Sequence, residues 1–495
     1  MAGAIVFIGF MGAGKTTAAR TMDPAALDAD AEIAARAGVS IPELFTQRGE
    51  AAFRALEEEV ALELLAQAPP GTPVALGGGT LGSQRVREAL ADHVVAYLEI
   101  DEDTAWHRAT ADGATRPNAA DRDRFAALLA ERRPVYEAAA DAFLAQGALP
   151  AAAGALRALR KGTKLLWGPH PVLVGEHAWP APRDGDFLVT DAHVEGLHGA
   201  RYASLPRHVI APGEQSKTLG TAEEVWTAMA GAGITRAGRV IALGGGVVGD
   251  LAGFCAATYQ RGIPVLQVPT TLVAQVDSAY GGKTGVDLPR AKNYVGAYHQ
   301  PQAVHVVPQV LDTLPLPEHA AGYAEVVKTA LIAGGTLWER VAAGADVDGD
   351  IVLACARTKL AVVAADERDG GVRQTLNLGH TIGHAIETVT GYTRYRHGEA
   401  VALGLLAALR LSGQDALREQ VRELLAAKDL PTELDRAVDP AEVAAATRAD
   451  KKRLGAHTPF VLVHAPGDVR PGARVDDGEL LAAVTELAAG VPAAP

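Results

Sequence analysis

Gly9-Phe10-Met11-Gly12-Ala13-Gly14-Lys15-Thr16 has the spacing G-x-x-x-x-G-K-[ST] and stands between an apolar run, Ile5–Gly9, and a helical pattern. Glycines at these positions let successive backbone amides curl around the β- and γ-phosphates of a nucleotide. The lysine supplies a point charge, and the threonine hydroxyl can ligate Mg²⁺. A glycine turn that merely opened a helix would require neither the lysine nor the strand before it. The motif therefore fixes a strand–loop–helix unit at the N-terminus, with a nucleoside triphosphate as its ligand. Gly12, Ala13, Gly14, Lys15, Thr16 and Thr17 are the candidate contacts.

The rest of the chain extends this α/β reading. Its 495 residues, 48% apolar, suffice for about three folding units at about 150 residues each. Ile5–Gly9, Val74–Leu76 and Val94–Ile100 read as buried strands, whereas Ile41–Ala66 and Arg122–Leu144 carry helical spacing. Such alternation predicts a parallel sheet with helices on both faces over residues 1–155. An Ala-rich stretch, Leu149–Leu159, leads into Arg160-Lys161-Gly162-Thr163-Lys164, and a linker is expected at 156–164. A second α/β unit follows at 165–312, with strands at Val172–Gly175, Phe187–Thr190, Arg239–Leu243 and Val265–Val268. Beyond about Leu311 strand signals fade, which predicts a mostly helical unit over 313–495.

Charge and cysteine usage narrow the setting. A formal charge of −13, from 46 basic and 59 acidic residues, argues against nucleic acid or an anionic membrane as partner, though not against small anions held by local cations. Two cysteines, Cys255 and Cys355, cannot build a disulfide framework. No uninterrupted apolar window reaches membrane-spanning length, since the run from Val401 is cut by Arg410. Met1–Phe10 lacks the basic start and cleavage site of a signal peptide. A soluble, cytoplasmic protein is expected.

Further residues of the first 150 cluster in a telling order: Asp28 and Asp30, Phe53-Arg54 after Gly49-Glu50, Gly77-Gly78-Gly79, Arg116-Pro117, and Arg132-Arg133-Pro134-Val135-Tyr136. In this order and spacing they resemble shikimate kinase. The resemblance implies that the triphosphate is ATP, with Arg116 on a lid neutralising the migrating phosphoryl group. Asp30, Arg54, Arg132 and the Gly77–Gly79 loop would hold shikimate, the two arginines clamping its carboxylate and Asp30 orienting the attacking hydroxyl. Asp28 would join Thr16 at Mg²⁺. Two departures stand out: Ala18–Ala29 is some residues short, and the lid reads Arg116-Pro117-Asn118-Ala119 where the family usually has Arg-Pro-Leu-Leu.

In the second half, Gly244-Gly245-Gly246-Val247-Val248-Gly249 follows the strand ending at Leu243 and fits G-x-G-x-x-G. The acidic residue expected about 20 positions later is absent from Gly262–Thr271, so an ordinary dehydrogenase fold is disfavoured. Farther on, His380 and His384 at i,i+4 share one helix face, which suits a metal. Position 381 is Thr, so this is no zinc-protease H-E-x-x-H. His397-Gly398-Glu399 follows within eighteen residues.

Gln267–Ser278 with Gly281-Gly282-Lys283-Thr284-Gly285-Val286, and Leu376–Glu387, closely resemble 3-dehydroquinate synthase over roughly Leu165–Thr485. The resemblance implies Zn²⁺, or Co²⁺, on Glu325, His380 and His397, with His384 turned to the substrate. It implies an NAD site from Asp191, Glu214, Lys217, Gly245, Gly246, Val247, Val248, Gly249, Asp250, Thr270, Thr271, Lys283, Lys292 and Thr313. Substrate contacts would be Arg261, Asp277, Lys283, Lys292, Lys328, Lys359, Arg373 and Asn377, with Lys451 or Lys452. Catalytic roles fall to Asp277, Lys283, Lys328, Lys359, Arg373, Asn377 and His384, and in the first half to Lys15, Asp30 and Arg116. His193 stands where the family commonly has Asn.

The implied chemistry accounts for so many cations, because 3-deoxy-arabino-heptulosonate 7-phosphate carries a carboxylate and a phosphate. A ring hydroxyl is transiently oxidised by NAD⁺, phosphate leaves by β-elimination, the hydride returns, and an internal aldol step closes the ring. The chain would thus be a bifunctional enzyme catalysing two non-consecutive steps towards chorismate, so direct channelling is not expected. The family also implies a homodimer through the synthase half. Two alternatives use the same residues: an active synthase with a catalytically weak, nucleotide-sensing kinase half, or another sugar-phosphate cyclase. A glycerol-dehydrogenase-type site would not require this crowd of Lys and Arg.

Overall fold

Ile5–Ile8 (β1), four consecutive buried apolar residues, is the kind of run that a strand covered on both faces requires. It lies inside a parallel sheet with Leu27–Asp28 (β2), Pro73–Ala75 (β3), Val94–Leu98 (β4), Ala142–Leu144 (β5) and Lys164–Trp167 (β6), and Pro171–Val174 (β7) pairs antiparallel with β6. The order is β2-β3-β1-β4-β5-β6-β7. The computed structural model describes residues 3–111, 121–145, 147–289, 291–449 and 459–489. They divide into two compact units, Met1–Ala178 and Trp179–Pro495.

In the first unit the helix expected over Arg122–Leu144 ends at Ala139, and Ala142–Leu144 is strand β5, paired with β4. Three residues carry no period, so burial against β4 rather than pattern decides their state. The trimmed segment after the nucleotide loop is visible as a helix of only eight residues, Lys15–Met22, and a two-residue β2. Arg157, from the amphipathic helix Leu149–Ala158, donates to the Met22 carbonyl (2.9 Å) and satisfies the end of that short helix. This helix and strands β6 and β7 belong to the first unit, so contact density divides the chain at Ala178/Trp179, whereas composition suggests 156–164.

The second unit starts with a parallel sheet of Asp186–Asp191 (β8), Arg207–Ile210 (β9), Arg239–Gly244 (β10), Val265–Pro269 (β11) and Ala303–Val306 (β14), ordered β14-β11-β10-β8-β9. Between β11 and β14 in the chain, Lys283–Leu288 (β12) and Ala291–Tyr298 (β13) form an antiparallel hairpin. Phe187, Val189, Val240, Ala242, Val265 and the apolar face of helix Gly246–Thr258 build one core. Helices dominate from Leu316 onward, as expected, but Phe460–Ala465 (β15) and Asp468–Ala473 (β16) interrupt them with a hairpin. Phe460, Val461 and Val463 of this hairpin are buried. The sheet and the helices share one compact unit. Among the described residues no helix is long and apolar enough to cross a membrane.

Candidate active sites

In the first unit, Gly12 and Gly14 take φ values of 82° and 85°, where a side chain is disfavoured, and Gly14 caps helix Lys15–Met22. Lys15 Nζ donates to the carbonyls of Gly9 (3.0 Å) and Phe10 (3.1 Å), so the loop folds over its own ammonium group. Thr16 and Thr17 open the same helix. Asp28 caps the next helix, accepting the Ala31 N–H at 3.0 Å, and Asp30 lies in the first turn of that helix.

The long helix Ile41–Gln67 breaks at Gly49 (φ 78°), and beyond the break Arg54 and Glu57 face the Gly77–Gly79 loop. A Cβ on Gly77 would stand 2.5 Å from Glu57 Oε1 and 3.1 Å from Asp30 Oδ1, and one on Gly79 would overlap the Arg54 guanidinium. The glycines thus make room for the side chains beside them. Arg132 donates to the Gly78 carbonyl at 2.9 Å, and so does the Tyr136 hydroxyl at 2.5 Å. Asp30, Arg54 and Arg132 therefore all stand beside the Gly77–Gly79 loop. Two residues without an expected role complete the group. Glu57, 3% exposed, ties Arg54 (2.6 Å) to Thr80 (2.9 Å), and burial pushes the Tyr136 phenol up to about 12. Arg116 lies outside the described residues.

In the second unit, a cavity of about 890 Å³ opens at the carboxyl ends of β8 and β10, where ligands bind in open α/β sheets. Of the expected dinucleotide contacts, Asp191, Glu214, Lys217, Gly245, Gly246, Val247, Val248, Asp250, Thr270, Thr271, Lys292 and Thr313 line it, with His193. Gly249 and Lys283 do not: Gly249 faces Gln267, and Lys283 pairs with Asp369 at 2.5 Å. Lys217 is held by Asp250 (2.6 Å) and Asn293 (2.5 Å). Burial lowers its affinity for a proton, and Asp250 with Glu214 more than restores it, so it stays charged.

Beside this cavity, which His384 and His397 line, helix Leu316–Ala333 supplies Glu325, while helices His380–Val389 and His397–Leu411 supply the histidines. The ligand atoms of Glu325, His380 and His397 all lie within 4.8 Å of one another. Glu325 Oε1 is 3.5 Å from His380 Nε2 and 3.4 Å from His397 Nε2. Glu325 is fully buried, and neither oxygen accepts a well-aligned hydrogen bond among the described residues. Burial pushes its carboxyl up, but Lys328 and the two histidines hold it well below the usual range. His380 Nδ1 donates to the Leu378 carbonyl (3.1 Å), leaving the Nε2 lone pair facing Glu325. Burial lowers His397, whereas Glu325 and Glu387 raise it to about 10, so the pocket favours positive charge at this point. A buried carboxylate and two imidazoles make a donor set that fits Zn²⁺ or Co²⁺. His384, one turn on from His380, has its ring 5.4 Å from that of His380 and lines the cavity.

A chain of charges runs away from Glu325. Lys328 lies 2.5 Å from Glu325 Oε2 and 3.6 Å from Asp277 Oδ2, and Lys359 donates to Asp277 Oδ1 (2.5 Å) and O (2.7 Å). Asp277 sits in a wide turn in which the Ala279 N–H reaches back to the Ala274 carbonyl, an i→i+5 spacing common at functional sites. Of the expected substrate contacts, Asp277, Lys292 and His384 line the cavity, whereas Lys283, Lys328, Lys359, Arg261, Arg373 and Asn377 stand outside its lining. Arg373 is buried, donating to the carbonyls of Glu367 and Gly281 (2.9 Å). Arg261 is exposed with φ 71°, and Asn377 ends the short turn Val372–Asn377. Lys451 and Lys452 lie outside the described residues.

The geometry also depends on one close helix approach. A Cβ on Gly398 would overlap the Ala321 carbonyl oxygen, one turn before Glu325. Gly398→Ala is expected to force the two ligand-bearing helices apart and cost about 1–3 kcal/mol of stability, read as a lower urea midpoint. An unchanged midpoint refutes this packing account.

Residues 11–161 match the family model for shikimate kinase; residues 207–321 and 322–453 match those for the N- and C-terminal parts of 3-dehydroquinate synthase. The 3-dehydroquinate synthase of Symbiobacterium thermophilum is 44% identical over 305 residues, covering 57% of this chain and 85% of the relative. That of Halorhodospira halophila is 48% identical over 302 residues, covering 58% and 85%. Among solved structures, a 2-epi-5-epi-valiolone synthase from Streptomyces hygroscopicus subsp. jinggangensis with NAD⁺ and Zn²⁺ bound superposes with a TM-score of 0.59 at 26% identity, covering 65% of this chain and 97% of its own. The identity to the dehydroquinate synthases exceeds that to this other cyclase by a wide margin. The chain therefore belongs to the 3-dehydroquinate synthase family and carries a shikimate kinase domain before the synthase.

Proposed function

We propose that the first unit phosphorylates shikimate with ATP, and that the second cyclises 3-deoxy-arabino-heptulosonate 7-phosphate to 3-dehydroquinate with release of phosphate. The carrying observation is the meeting of Glu325, His380 and His397, a cluster that reaches through His397 into a cavity also lined by Asp191, Gly245–Val248 and Asp250. When bound, NAD supplies hydride transfer and the divalent metal Lewis acidity, as the valiolone synthase's NAD⁺ and Zn²⁺ suggest. Asp191, whose Oδ1 accepts the His193 and Val194 N–H groups (2.9 Å each), is a rigid carboxylate for a ribose. Lys328, Asp277 and Lys359 form a preorganised row against which a ring hydroxyl can be oriented and its proton moved. His384 faces the same space, and Lys292 offers its charge to a phosphate.

In the kinase unit, Lys15 exchanges its carbonyl partners for the β- and γ-phosphates, with Mg²⁺ held by Thr16 and Asp28. Arg54 and Arg132 hold the shikimate carboxylate, and Asp30 orients the hydroxyl and takes its proton. Arg54→Ala is expected to raise the KM for shikimate about 10- to 100-fold, the worth of one charged hydrogen bond, with the KM for ATP unchanged. A rise in both would place Arg54 elsewhere. The functional borders we assign are 1–155 for the kinase, 165–312 for the dinucleotide part and 313–495 for the metal and substrate part. We place the enzyme in the cytoplasm as a homodimer through the synthase half.

Assaying the purified chain for phosphate release from the heptulosonate and for shikimate-dependent ADP formation tests the whole proposal. The eight-residue helix after the nucleotide loop gives weight to one second reading, a nucleotide-sensing kinase half. ATP binding without ADP formation would establish that reading, and ordinary turnover removes it.

A further inference from the structure

Glu387 has no part in the metal cluster, yet it touches one of its members. Its Oε2 lies 3.4 Å from Nδ1 of His397, on the opposite side of the ring from the Nε2 that faces Glu325. Its other oxygen, Oε1, is 3.3 Å from Lys292 Nζ, which in turn stands 4.4 Å from the centre of the Tyr392 ring. Glu387 is 2% exposed, one helical turn beyond His384 and two beyond His380. Resting on the metal-site reading above, we propose that Glu387 is a positioning residue, which fixes the tautomer and orientation of His397 and is itself held by Lys292.

Three observations carry this. A carboxylate can only accept, so the contact puts a proton on His397 Nδ1 and directs the Nε2 lone pair towards Glu325 and the metal. His380 shows the same arrangement with a different acceptor, its Nδ1 donating to the Leu378 carbonyl. The two ligand rings are therefore held alike, one by the backbone and one by Glu387. Finally, His384, Glu387 and His397 could themselves hold a cation, their ligand atoms lying within 4.8 Å of one another. The Lys292 ammonium already supplies positive charge there, and using His397 Nδ1 as a ligand would remove the proton that orients the ring.

The test is Co²⁺ binding to the full chain, measured by chelator competition and by the visible absorption of the bound ion, for wild type, Glu387→Ala, Glu387→Gln and Glu325→Gln. Glu387→Ala should weaken Co²⁺ about 10- to 100-fold and alter its absorption band. Glu387→Gln, which keeps an acceptor but no charge, should fall between the two. Wild-type affinity and band in Glu387→Ala, together with weakened binding in Glu325→Gln, would overturn the positioning role alone. Wild-type binding in both would overturn the metal-site reading as well. Two Co²⁺ ions per wild-type chain, one lost in Glu387→Ala, would make Glu387 a ligand and refute the proposal.

Discussion

Replacing His380 with Ala is expected to lower phosphate release from the heptulosonate by about three orders of magnitude or more, while shikimate-dependent ADP formation stays at the wild-type rate. Three donors from three helices converge here, and removal of one leaves Glu325 and His397 as an incomplete set. At about 1.4 kcal/mol per tenfold, the expected loss corresponds to about 4 kcal/mol of transition-state stabilisation, within what a Lewis acid contributes. The substitution also frees the Leu378 carbonyl, which accepts from His380 Nδ1. A chelator should reproduce the loss in the wild-type protein, and added Zn²⁺ or Co²⁺ should reverse it. Undiminished phosphate release in His380→Ala, or in exhaustively chelated protein, would refute the ligand assignment. Since His380 belongs to the second unit and the nucleotide loop to the first, the kinase rate serves as an internal control for folding.

What was legible in the sequence was chemistry whose parts lie close along the chain. The nucleotide loop is eight consecutive residues, and His380 with His384 needs only the helical period to share a face. Glu325 lies 55 residues before His380, and only the family resemblance joins them. Glu57 and Glu387 received no role, since an isolated Glu in a helix reads as a solvated charge. Their function comes from burial beside Arg54 and Thr80, and beside His397 and Lys292. Arg373 has a role that its place in the chain does not display: the family resemblance implies a substrate contact, and in the fold its guanidinium also donates to the carbonyls of Glu367 and Gly281. The hairpin β12–β13 is decided by strand pairing in a stretch rich in Gly, Lys and Asn, whereas Phe460–Val463 of β15 is a strand-favouring run obscured only by the helical segments on either side.

Lys15→Ala is expected to give the opposite separation: shikimate-dependent ADP formation falls about 10²- to 10³-fold, and phosphate release from the heptulosonate is unaffected. The ammonium group is the single side-chain cation that the loop itself offers, and it sits among carbonyls at 3.0 and 3.1 Å from which it can turn to developing charge on the phosphates. Its removal costs little stability, because it is half-buried and its partners are loop carbonyls that water can satisfy. ATP binding should weaken less than turnover, since the backbone amides and the start of helix Lys15–Met22 remain to hold the phosphates. Equal losses in ATP affinity and in turnover would mean that Lys15 acts only in binding. A fall in the synthase rate would mean that the two units are energetically coupled, which the non-consecutive reactions give no reason to expect. A double variant, Lys15→Ala with His380→Ala, should show the two single losses side by side. Independence of this kind is what two self-sufficient sites in separate compact units require.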